Sequence, residues 1–230
     1  MKNLKGDIVW GLLLLVWVWV LVIPSARSVF ISFTEAHAYI GGFIKFSILA
    51  SMGDMLGGRI LKGKWSFSQG FFFKAVVWGI LGIMITLVFS VFMAGAAGAQ
   101  ASGKLPFQKS KVALALFASV IMNMTFGPMM YIYHKFGDLF VDLCYEKNKG
   151  ILKGKITVSE MVNRVDWQGM VGFSWLKTCI FVWMPCHTIV FLLPPEYRVL
   201  ASAFLSILLG VLVAISKKSS SSIDHRNVPI

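Results

Sequence analysis

Apolar residues run along this chain in long, nearly unbroken blocks separated by short polar breaks. Six blocks approach the ~20 residues that carry a helix across ~30 Å of hydrocarbon. They are Ile8–Ile23, Tyr39–Ile60, Phe73–Ala94, Val112–Tyr133, Val171–Leu193 and Val199–Ile215. The pattern predicts an all-α polytopic membrane helix bundle of about six transmembrane helices, one domain over residues 1–216. The breaks are short apart from residues 134–170. There Phe136 to Leu143 extends the fourth block as an amphipathic helix, and Gly150 and Gly154 mark a basic turn. A short interfacial helix restarts at Ser159-Glu160. The stretch AGAAGAQASGKLPFQKSK predicts a flexible outer loop, and KKSSSSIDHRNVPI, residues 217–230, a disordered polar tail.

Within the blocks, small residues recur four apart. Gly53 and Gly57 do so in the second, Ala115, Ser119, Asn123 and Gly127 in the fourth, and Ser202, Ser206, Gly210 and Ala214 in the last. Helices in lipid gain little from burying apolar surface against each other, so they associate where small side chains permit close approach. Three such faces predict a compact bundle.

Charge then orients it. The net charge is +12, and the chain is 57% hydrophobic with 14% charged residues, too few to clothe a soluble domain. With the amino terminus inside, fifteen of the 22 basic residues fall on cytoplasmic segments and five on outer ones. This is the asymmetry of the positive-inside rule for both termini cytoplasmic. The charge is therefore topological. It implies contact with anionic lipid headgroups at the basic loop of residues 134–170, and no nucleic acid. Lys2 and Lys5 before IVWGLLLLVWVWVLVI resemble the start of a signal peptide. Three tryptophans and the poor cleavage site Pro24-Ser25-Ala26 favour a retained anchor.

Cys144, Cys179 and Cys186 are odd in number and form no C-x-x-C pair, so neither a disulfide framework nor a zinc site follows. Tyr131, His134, Asp138 and Asp142 lie along one stripe, half of a metal site with no second half in the sequence. No nucleophile motif and no phosphate loop is present, so neither catalysis nor a cofactor is expected.

Polar residues at depth are the candidate chemistry. Asp54 needs a partner on another helix, water, or a proton. A helix-end ion pair with Arg59 or another cytoplasmic base is the plainest solution. Pro185 lacks an N–H, so it kinks the fifth helix and frees a carbonyl near Phe181. In lipid that group must be satisfied within the protein or by cavity water. His187 either buttresses this kink or lines an aqueous path. Lys177 lies earlier on the same helix, and Pro128 interrupts the fourth.

Three motifs resemble the Mpv family, that of the twenty-two-kilodalton peroxisomal membrane protein and its mitochondrial inner-membrane relatives. ASMGDMLGG carries Gly53-Asp54. FGPMMYIYHKFGD carries Gly127-Pro128, with Tyr131, Tyr133, His134 and Asp138 at the family's offsets. MPCHTIVFLLPPEYR carries Pro185, His187, Phe191, Pro194 and Arg198. Met184, His187, Val190 and Gly58 depart from the family's residues, and Phe73–Ala94 and the amino-terminal helix are additions. The resemblance covers Tyr39–Arg59 and Val112–Ser216 and is nearest to a divergent prokaryotic branch, which implies a cytoplasmic membrane. It implies a weakly cation-favouring, poorly selective channel.

The functional expectation is therefore a channel or pore-type transporter for ions or small metabolites, acting as a homo-oligomer. Its lining would be Asp54, Asn123, His134, Asp138, Lys177 and His187, with kinks at Pro128 and Pro185. The alternative is a non-conducting structural or assembly protein whose polar residues satisfy each other.

Overall fold

The structure is a computed structural model that describes residues 2–148 and 155–224. All regular structure among the described residues is helical. In chain order the helices are α1 (Lys2–Val22), α2 (Pro24–Ala36), α3 (Ala38–Lys62), α4 (Phe71–Ala101), α5 (Lys111–Asn148), α6 (Val158–Asn163) and α7 (Trp167–Gly169). A π-helical segment, Met170–Trp183, leads directly into α8 (Met184–Leu192), and α9 (Pro195–Asp224) follows. Five stretches among the described residues are long and apolar enough to cross a membrane: Asn3–Val22, Ala38–Lys62, Phe71–Ala101, Lys111–Lys147 and Trp167–Leu192. Large apolar side chains such as Phe72, Ile80, Phe181 and Ile189 stay exposed around the outside, while Phe46, Leu49, Leu81, Ala118 and Ala203 are buried at the centre. Apolar outside and apolar inside is the surface of an integral membrane protein.

α3 is the central helix, flanked by α4 and α9. The small-residue faces explain how closely they approach. A side chain at Gly53 would meet the Ser206 carbonyl of α9 at 2.7 Å, and one at Gly57 the Gly210 carbonyl at 3.0 Å. On the other flank, a side chain at Gly42 would meet the Gly82 carbonyl of α4 at 2.7 Å. The first crossing brings together two of the faces marked by four-residue spacing, although the spacing did not say which would meet. The second rests on single glycines without the four-residue repeat.

Several boundaries differ from the hydrophobic pattern. α4 runs to Ala101, through the small residues expected to form a flexible loop. Gln100 is buried there and donates to the Phe107 carbonyl at 2.7 Å, which closes the loop onto the helix end. Residues 24–36 form α2, a helix too short and too polar to register as a span. Pro24 at its first turn fits a position whose N–H has no helical acceptor. α5 continues past the apolar block to Asn148, with Pro128 inside it. α6 starts where the sequence restarts, because Thr157 and Glu160 form a reciprocal capping box. α9 stays helical to Asp224, into the stretch expected to be disordered. The turn around Gly150 and the last residues, 225–230, lie outside the described residues.

α1 sits at the periphery, with none of its apolar window buried. It is fixed near its start. Asp7 accepts from Arg59 Nε at 3.1 Å and from Trp65 Nε1 at 2.7 Å, and Trp10 Nε1 donates to the Met52 carbonyl at 3.0 Å.

Candidate functional site

Polar side chains inside the bundle gather at three levels, each around a cavity. The middle level is built by α5, α8 and α9. Ser119 and Asn123 lie one turn apart on α5 and face the start of α8. The Ser119 hydroxyl donates to the Met184 carbonyl at 2.7 Å, and the Thr188 hydroxyl donates to the same oxygen at 2.7 Å. The Asn123 side-chain amide lies 3.2 Å from His187 Nδ1 and donates to the Ser119 carbonyl at 2.8 Å. His187 Nε2 lies 3.5 Å from the Ser202 hydroxyl of α9. Trp183 stacks on the imidazole at 5.2 Å between centroids, and Phe89 meets it edge-on at 5.5 Å. His187 is buried, beside a cavity of about 40 Å³. That is roomy enough for ordered water.

The helix around Pro185 changes its hydrogen-bond register. For fourteen residues before it the backbone runs in the wider π register, and the Met184 N–H donates back to Cys179. The missing Pro185 N–H therefore falls where the wide register gives way to the α register, in the first turn of α8. His187 satisfies no freed carbonyl, since its ring faces Asn123 and Ser202.

The inner level lies toward the carboxy-terminal end of α3. Asp54 lines a cavity of about 300 Å³ and accepts from the Trp78 indole N–H at 2.7 Å. The ion pair expected with Arg59 is not made, because Arg59 turns outward to Asp7 of α1. The face of Trp78 covers His134 at 4.0 Å between centroids. His134 Nε2 lies 3.5 Å from Asp138 Oδ2 without hydrogen-bonding geometry, and Asp138 Oδ1 is buried without a partner. The stripe on α5 then divides. Asp142 pairs with Lys74 of α4 at 2.7 Å, while Tyr131 accepts from Trp183 Nε1 at 2.7 Å. Among the described residues, no three His, Cys, Asp or Glu side chains stand together as metal ligands would.

The outer level is a cavity of about 480 Å³ between α2, α3, α4 and α9. Thr34, Glu35, Lys45, Ser90, Glu196 and Arg198 supply its polar wall.

These cavities share walls. Trp78, Met130, Tyr131, Ser206 and Leu209 line both the middle and the inner one, and Phe89 lines both the middle and the outer one. Asp54, Asn123, His134 and His187 thus belong to one column, and Asp138 sits beside its inner end. Lys177 does not: it is exposed on the outside of the π-helical segment and lines none of the three cavities. Sequence reasoning passed over Trp78 and Phe89, which read as ordinary apolar residues. It also left Lys45 without a role, although a charge at that depth was signal enough.

No family model, curated protein or solved structure matches this chain.

Proposed function

We propose that this membrane protein is a weakly selective channel or pore-type transporter for ions or small metabolites. The observation that carries this reading is the column: three cavities in series, with polar side chains on their walls, through a bundle that is otherwise apolar. Polar groups inside a membrane are costly and mark solute paths when they line cavities. The described conformation is occluded at two levels, by Phe89 against Phe191 and His187 above and by Trp78 and Tyr131 below. Asp54 and Asp138 at the inner end favour cations there.

The motifs that resemble the Mpv family meet on the same column, since Asp54 lines the inner cavity and Gly127 and His187 the middle one. This supports placing the chain among channel-like relatives of that family, in a cytoplasmic membrane with six spans and both termini inside. A homo-oligomer belongs to the proposal because one chain encloses only a narrow path. No residue in it is assigned a catalytic step.

One observation favours a second reading, a non-conducting structural or assembly protein. His187 is satisfied by Asn123 and Ser202 and covered by two aromatic rings, as a purely structural histidine would be. Thiol labelling separates the two. Ser206 lies on the wall that the middle and inner cavities share, so Ser206→Cys in a chain with Cys186→Ser reports on that wall. A membrane-impermeant maleimide labels it in a conducting protein. Complete protection under all conditions favours the structural protein.

A further inference from the structure

Lys45 stands two turns into α3, and it is 3% exposed. Its ammonium donates to the Thr34 hydroxyl of α2 at 2.9 Å and lies 4.7 Å from the centre of the Phe30 ring. Neither contact neutralises it, and no carboxylate among the described residues pairs with it. A charge buried at membrane depth without a counter-charge is costly, and such residues are functional by default. Lys45 is also on the wall of the 480 Å³ outer cavity, where it faces an unusual company. Arg198, the second cation of that wall, spends its Nε–H on the Leu193 carbonyl at 2.9 Å. Glu35 and Glu196 supply two acids, and neither forms an ion pair with Lys45 or Arg198. The two signs of charge therefore share one cavity without touching.

We infer that the outer cavity binds a small zwitterion of the amino-acid type, its carboxylate on Lys45 and its ammonium toward Glu196 and Glu35. A simple anion would meet the repulsion of both acids, and a simple amine that of Lys45 and Arg198. A molecule carrying both charges answers each wall. Phe89, Met93 and Val199 complete the cavity with apolar surface, which suits an aliphatic side chain. The site names a solute class for the outer end of the proposed path. It depends on that reading for transport, but not for binding.

The test uses the full chain in phosphatidylcholine nanodiscs, titrated calorimetrically with free leucine, isocaproate and isoamylamine. The last two are leucine without its amine and without its carboxylate. Leucine should bind about tenfold or more tighter than either, the size of one charge-assisted hydrogen bond. Lys45→Met should lose that factor for leucine and, by removing a like charge from the wall, tighten isoamylamine. Glu196→Gln, at a half-buried position, should weaken leucine and tighten isocaproate, which loses one of its two like charges. Isocaproate binding as well as leucine, no leucine binding to the unmodified chain, or equal leucine binding to Lys45→Met would each overturn the assignment. So would Lys45-dependent stabilisation by phosphatidylglycerol in place of leucine, which would make the counter-charge a lipid headgroup. Binding is read without transport, so a silent conductance measurement leaves this result standing, and failure here leaves conduction open to its own test.

Discussion

Trp78 serves two helices with one ring. Its N–H reaches Asp54 of α3, and its face covers His134 of α5. Removing the donor leaves a carboxylate in the inner cavity without the one direct side-chain hydrogen bond it makes among the described residues. Trp78→Phe should therefore lower stability by about 0.5–1.5 kcal/mol, the net worth of one hydrogen bond to a carboxylate that is itself exposed to the cavity. In Asp54→Leu the same Trp78 change should cost less, because there is no charge left to strand. Thermal unfolding of the four proteins in detergent measures this coupling, and additive losses would show that the bond contributes nothing. Asp54 was legible as a residue in need of a partner. Its partner was not, because the nearest basic residue in sequence, Arg59, points around the helix to α1, and an indole N–H leaves no mark in a charge pattern.

At the scale of elements, legibility followed the period of the signal. The four-residue spacing of Gly53 and Gly57, and of Ser206 and Gly210, predicted close packing without saying which face meets which, and α3 and α9 cross there. Gly53→Leu should place a side chain against the Ser206 carbonyl and abolish the monodisperse folded protein, whereas Gly58→Leu, in open space, should not. Size-exclusion profiles of the two variants decide it. The π register of Met170–Trp183 left no such trace, because an apolar block is equally apolar at either helical period. α2 was hidden for the opposite reason, since thirteen mixed residues fall well short of a span.

The carboxy-terminal end of α5 is joined to α6 by Lys147 and Glu160 and by Arg164 and Glu146, the latter pair at 2.7 Å. Hydrogen bonds from Lys147, and then from the Thr157 backbone, pull the Glu160 carboxyl down to about 2 from its ordinary 4.5. A depressed acid contributes stability above its unfolded value and loses it as pH falls through the folded one. The α6 cap should hold at neutral pH and fray between pH 4.5 and 2. Hydrogen exchange of the α6 amides should record that fraying in the native chain. In Glu160→Gln the acid-dependent step should vanish, with protection already low at neutral pH.

For the whole molecule, the hydrophobic blocks were enough to predict an apolar helical bundle, because each block is a complete physical unit in lipid. The column inside it was legible only in part. Asp54, Asn123, His134 and His187 announced themselves as polar residues at depth. Phe89 and Trp78, which close the column between its cavities, are invisible until neighbouring helices are placed. The side of the helix that Lys177 takes, away from the three cavities, was illegible for the same reason: depth along the helix was known, and direction was not. The central claim is that the column conducts. Conductance of the purified protein in planar bilayers tests it directly, with Asp54→Asn and Phe89→Ala alongside. The account predicts discrete currents, reduced cation preference in Asp54→Asn, and more frequent opening in Phe89→Ala. Silence of all three proteins across voltage and pH, from material shown to be folded and inserted, would contradict it.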